Sequence, residues 1–104
     1  SSSNGIDWTL TAASAAFSNR NSFSAVSELG KIWLSGGAGT PTGFVNDVWS
    51  SADGANWTQD APSAGFSKRS SMGMLSFSSK LWVVGGFYDN GVSTFYYRDV
   101  WRSP

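Results

Sequence analysis

A chain of 104 residues with seven basic and seven acidic side chains, zero net charge and only 13% charged residues lacks the positive field that nucleic acid or an anionic membrane surface attracts. With neither cysteine nor histidine, it has no disulfides, none of the usual zinc or copper ligand sets, and no Ser-His-Asp or Cys-His catalysis. No apolar run approaches the ~18 residues of a membrane-spanning helix, and 15% aromatic residues with twelve Gly suit an all-β chain of short strands and tight turns.

The chain is one unit written twice. Ser50 to Gly86 aligns without a gap on Ser1 to Gly37, with 17 of 37 positions identical. Trp57 falls on Trp8, Phe66 on Phe17, Arg69 on Arg20, Trp82 on Trp33, and Gly85-Gly86 on Gly36-Gly37. Beyond the glycine pair the second copy gains three residues, so Asp47-Val48-Trp49 recurs as Asp99-Val100-Trp101. A period near 50 predicts a propeller blade rather than a solenoid turn.

In chain order, Asn4-Gly5 reads as a hairpin turn, and Trp8-Thr9 opens a strand within residues 1–12. The first full unit covers about 17–60. Its glycine pair Gly36-Gly37 closes a strand, Val45 to Ser51 forms the next, and Asp53-Gly54 makes a turn into a last strand opened by Trp57-Thr58. Asp-Gly and Asn-Gly predict type I′ turns, which need positive φ at both central residues. The second unit, about 66–104, repeats three of these strands: about Ser71 to Phe77, Lys80 to Val84, and about Tyr96 to Ser103. Ser78-Ser79 joins the first two. Leu81, Trp82, Val83 and Val84 are apolar in succession, predicting a strand buried on both faces. The glycine pair is expected where a bulky neighbour, an indole of the same blade, lies against the backbone. Residues 1–12 are then a fourth strand without its blade, and the second unit is a blade without its fourth strand. The strand of one chain can complete the blade of another.

Arg69, the apolar first strand, Lys80 to Gly86, Asp99-Val100-Trp101 and Trp57-Thr58 together resemble the Kelch repeat, and more closely the bacterial repeats of the galactose-oxidase central-domain type. Ser51 to Trp57 also resembles the Asp-box of sialidase-like propellers, one residue short, but the Gly-Gly strand is foreign to that motif. The resemblance implies a Kelch-type β-propeller with two four-stranded blades per chain. Propellers close with ~4 to 8 blades, so it further implies a ring built by homo-oligomerisation: a six-bladed cyclic homotrimer, with an eight-bladed tetramer second. A natural or engineered excerpt of a longer propeller would also account for the missing initiator Met and the cut at the turn. The low charge and abundant Ser fit a secreted or surface protein of a bacterium.

The repeat-matched residues Trp8, Trp33, Gly36, Gly37, Trp49, Trp57, Trp82, Gly85, Gly86 and Trp101 are expected to build the blade scaffold. Arg20 and Arg69 are expected to pair with Asp47 or Asp99, with ligand contact at a ring mouth as the alternative. The segment Phe87 to Phe95 differs most from its counterpart, and Tyr88, Asp89, Asn90 and Tyr96 offer aromatic faces beside polar tips, as sugar-binding surfaces do. The expected function is a self-assembling scaffold or binding module without catalysis, cofactor or metal. A carbohydrate-binding lectin using that segment is the alternative. The copper site of galactose oxidase needs His and Cys and is not carried over. The partner expected first is a second copy of the chain, then a glycan or protein ligand.

Overall fold

Alternating hairpins and glycine turns in each copy fold into antiparallel sheet. The computed structural model describes residues 1–104, and the chain is all-β, without a helix. The first copy supplies β1 (Ser24–Glu28), β2 (Lys31–Ser35), β3 (Ala38–Gly39), β4 (Gly43–Phe44), β5 (Val48–Ser51) and β6 (Thr58–Ala61). The second supplies β7 (Gly73–Phe77), β8 (Lys80–Val84), β9 (Phe87–Asp89), β10 (Thr94–Tyr96) and β11 (Val100–Arg102). In space β1-β2-β5-β6 form a four-stranded sheet and β7-β8-β11 a three-stranded one. The pairs β3–β4 and β9–β10 are small ribbons inserted after the second strand of each sheet. The segment expected as a loop around Tyr88 is thus mostly a hairpin.

Two-residue turns join β1 to β2 and β7 to β8, since Glu28 pairs with Lys31 and Phe77 with Lys80. Leu29 and Gly30 have φ of 53° and 72°, and Ser78 and Ser79 have 52° and 59°. These are the turns with two positive φ angles that follow the strands' right-handed twist. The Asp53-Gly54 turn is different: only Gly54 has positive φ, at 79°. Asp53 Oδ1 accepts from the Ala55 and Asn56 amides at 2.9 and 2.8 Å, and Ser51 Oγ accepts from the Gly54 amide at 2.8 Å. The type I′ expectation for Asp53-Gly54 is therefore corrected. The carboxylate satisfies the turn's amides and holds open a wider loop than a two-residue hairpin.

The two sheets stack face to face. Val48 and Trp33 of the first sheet look toward Met74, Leu81 and Val83 of the second, and Phe66, Met72 and Val83 form the core between them. Because side chains alternate along a strand, the opposite face of the second sheet presents Leu75, Phe77, Val84 and Val100, all exposed. The expectation that Lys80–Val84 is buried on both faces is corrected for the single chain: Val83 is buried, but no third sheet covers Val84.

Residues 1–12, expected as a strand, carry none here. Thr9 finds a main-chain partner in Ser1, at 2.8 and 2.6 Å, but the residues after it have no ladder to join. The turn of this segment is nevertheless formed, as described below.

Candidate functional site

Four features could carry chemistry or recognition: two arginine clusters, the aromatic ribbon, the polar turns and the cleft between the sheets.

Arg20 lies in the connection leading to β1, and its five N–H groups are all engaged. They donate to Ser18 O, Gly36 O, Ser18 Oγ and both oxygens of Asp47, the last at 2.6 and 2.9 Å. Trp49 Nε1 donates to the same carboxylate at 2.9 Å. The second copy repeats this almost atom for atom. Arg69 donates to Ser67 O, Gly85 O and both oxygens of Asp99, and Trp101 Nε1 donates to Asp99 Oδ2 at 2.8 Å. Arg69 is fully buried, between the rings of Phe66 and Tyr97. Burial pushes the Asp47 carboxyl up, but hydrogen bonds from Arg20 and Trp49 outweigh it and hold the group below its usual range. Hydrogen bonds from Arg69 bring Asp99 down to about 2. Both arginines thus tie the approach to a first strand to the start of the third, leaving Arg69 no surface from which to reach a ligand.

The glycine pairs serve the same joint. Gly36, Gly37, Gly85 and Gly86 all have positive φ. A Cβ on Gly36 would lie 2.6 Å from Met72 Cε, and one on Gly37 would lie 2.6 Å from Asn21 O. The close neighbour is therefore not an indole of the same blade but Met72 at the entrance to the second sheet, together with main chain. Gly37 N donates to Arg69 O, Ser71 N to Ser22 O, and Ala64 N to Asn46 O, so main-chain hydrogen bonds stitch the two copies together.

On the aromatic ribbon, Tyr88 stacks on Phe95 at 6.3 Å and meets Phe44 edge-on at 5.2 Å. Asp89 accepts from the Gly91 amide and from Thr94 Oγ1, and Asn90 Oδ1 accepts from the Val92 and Ser93 amides. The polar tips of Asp89 and Asn90 thus shape their own turn. Tyr96 is 82% exposed on the far side of the ribbon, so the structure does not gather the four residues around one polar pocket.

The polar turns are also duplicated. Asn4 Oδ1 accepts from the Ile6 and Asp7 amides, as Asp53 Oδ1 does from Ala55 and Asn56. Asn4 Nδ2 donates to Asp7, and Asn56 Nδ2 donates to Asp53, so the amide and the carboxylate have exchanged places across the repeat. Amides of Asn56 and Ala55 hold the Asp53 carboxyl well below its usual range. Trp8 Nε1 bonds Gly5 O as Trp57 Nε1 bonds Gly54 O.

The cleft, of about 650 Å³, opens between the outer parts of the two sheets and is lined mainly by apolar groups, among them Trp33, Phe66, Leu81, Val83 and Trp101. Sequence reasoning placed these residues in the scaffold and did not anticipate the opening, because no single repeat shows what is missing beside it. No group of His, Cys, Asp or Glu side chains is placed to hold a metal ion.

Comparison with protein-family models finds no match, and comparison with curated proteins finds none either. What the geometry itself defines is an all-β protein of two stacked antiparallel sheets built on a repeated Arg-Gly-Asp-Trp joint.

Proposed function

We propose that the chain is a Kelch-type two-blade unit that associates with copies of itself into a closed β-propeller and works as a non-catalytic scaffold or binding module. One observation carries this reading: the second sheet repeats the joint of the first but lacks its fourth strand, leaving β11 an open edge. An open edge and an uncovered apolar face both favour association. The exposed face of the second sheet and the face of the first sheet that carries Ile32 belong to opposite sides of the same repeat. Their contact is heterologous and head-to-tail, a geometry that closes into rings.

A cyclic homotrimer with six blades is the expected form, and a tetramer with eight is the next. Mass measurement in solution across a range of concentrations tests it. A discrete trimer or tetramer supports the reading, and a folded monomer at every concentration overturns it.

A further inference from the structure

The first sheet contains the template for what the second lacks. There Phe17 packs edge-on between two indoles, 6.3 Å from Trp49 and 5.0 Å from Trp57, the residue leading into β6. The counterparts of Phe17 and Trp49 in the second sheet are Phe66 and Trp101. Both line the cleft, and neither is paired with another ring, although Trp49 and Phe17 are. The counterpart of Trp57 is Trp8, which is 72% exposed.

Trp8 cannot serve its own chain. Thr11, three residues on, lies against Gly54, where its Cγ2 would be 3.6 Å from an added Cβ, and Ile32 lies beside the same point. The N-terminal arm therefore runs along the side of the first sheet turned away from the second, with that whole sheet between it and the cleft. Its turn already has the hydrogen bonds of the Asp53 turn, including the indole bond to the glycine carbonyl. The arm is a pre-shaped insert on the wrong side of its own molecule.

Resting on the self-association proposed above, we infer that the cleft is the seat of the Trp8 indole of a second copy, whose Thr9 to Ala12 becomes the missing strand beside β11. The register follows from the first sheet, where Ser50 pairs with Thr58, Trp49 with Gln59 and Val48 with Ala61 across a bulge. Carried across the repeat, Arg102 faces Thr9, Trp101 faces Leu10 and Val100 faces Ala12 of the incoming copy, and Arg102 takes the place of that copy's own Ser1, which in the single chain bonds the Thr9 amide and carbonyl at 2.8 and 2.6 Å. The main-chain stitching carries over as well. Asn46 accepts from the Ala64 amide and donates its side chain to Phe66 O at 2.8 Å, and Arg98 occupies the equivalent place facing the incoming Ala15 and Phe17. Phe44 packs on Phe87 and Tyr88. Its counterpart Tyr96 then lies over Ala38 and Gly39 of the second copy, which assigns the most exposed tyrosine of the ribbon to the junction rather than to a sugar.

Crosslinking tests the register, since the chain has no cysteine of its own. Singly substituted chains, Thr9→Cys and Arg102→Cys, are mixed under mild oxidation, and Leu10→Cys mixed with Arg102→Cys is the control. Facing residues bring their Cβ atoms near disulfide distance, while a one-residue slip turns the side chain to the other face, so the first mixture should crosslink at least about tenfold faster. Trp8→Ala should weaken association by roughly 30-fold or more, as loss of a buried interface indole does, while leaving the single chain folded. If the chain associates but both mixtures crosslink equally, or Trp8→Ala associates as tightly as the parent, the seat and register are overturned while self-association stands. A chain that stays monomeric at all concentrations removes both.

Discussion

Cutting the Asp47 side of the first joint tests whether the ion pair stabilises the sheet it belongs to. In Asp47→Ala the Arg20 guanidinium remains, with its side chain only 1% exposed, and it cannot shed its proton. Two of its five donors lose an ionised acceptor, and the Trp49 indole loses its own. Hydrogen bonds to charged groups contribute about 1.5–3 kcal/mol each, which agrees with the ~3–5 kcal/mol found when a buried pair is broken. Arg20→Met removes the other partner and should cost less, about 1–3 kcal/mol, because the orphaned Asp47 keeps the Trp49 bond and can take up a proton. In urea unfolding at fixed protein concentration, with a slope of about 1.5–2 kcal/mol per M, the Asp47→Ala midpoint should fall by about 2 M. The double variant should cost less than the sum of the two, since the residues interact directly. The reasoning fails if Asp47→Ala costs under about 1 kcal/mol, or if Arg20→Met is the more damaging of the two.

Two glycines of one ribbon should separate steric from conformational need. A Cβ on Gly39 would lie 1.8 Å from Asn19 O, whereas Gly43 has open space but a φ of 68°; Gly39→Ala should cost at least about 3 kcal/mol in the same assay and Gly43→Ala only about 1–2. At the tight turns, Leu29→Asn and Ser79→Gly should each raise the melting temperature, by up to about 1 kcal/mol of stability, because both residues now sit at positive φ without the side chain suited to it. Asp47, Asp53 and Asp99 all have lowered pKa values in the folded chain. The stability they contribute is therefore complete above the unfolded pKa of about 4 and is lost as pH falls through the folded values, so the urea midpoint should drop between about pH 4 and pH 2. Asp99→Asn should show a shallower drop, and an unchanged acid profile in that variant would refute the assignment.

How much of this was legible in the sequence depended on whether a feature was local to the repeat. Lys80–Val84 was readable to the residue, because an apolar run bounded by Ser78-Ser79 and Gly85-Gly86 leaves little freedom. Pairing of Arg20 with Asp47 was readable as one of two options, since both residues recur at matched positions, but only the fold brings them within 2.6 Å. The Asp53-Gly54 turn was misread because dipeptide preference ignores a carboxylate that can satisfy two amides two and three residues on. The glycine pair was assigned the wrong neighbour for a related reason. Its tight contacts come from Met72 and from main chain of the other strands, and a one-dimensional repeat does not display contacts between its copies.

The N-terminal arm separates what local sequence determines from what packing determines. Ser2 to Trp8 and Ser51 to Trp57 form the same turn with the same indole hydrogen bond, although only three of their seven residues are identical. Asn4 with Asp7 and Asp53 with Asn56 exchange amide and carboxylate while keeping the bond between them, so it is the hydrogen-bonding pattern, not residue identity, that specifies the turn. Thr9 still bonds Ser1 as Thr58 pairs with Ser50, but beyond that rung the two segments diverge: Gln59 to Ala61 continues in a ladder beside β5, and residues 9–12 form no strand. A strand is a property of a pair of segments. The arm thus has the turn of a fourth strand already formed and its first rung made on its own Ser1, and β11 is an edge that can replace Ser1 and extend the pairing beyond Thr9.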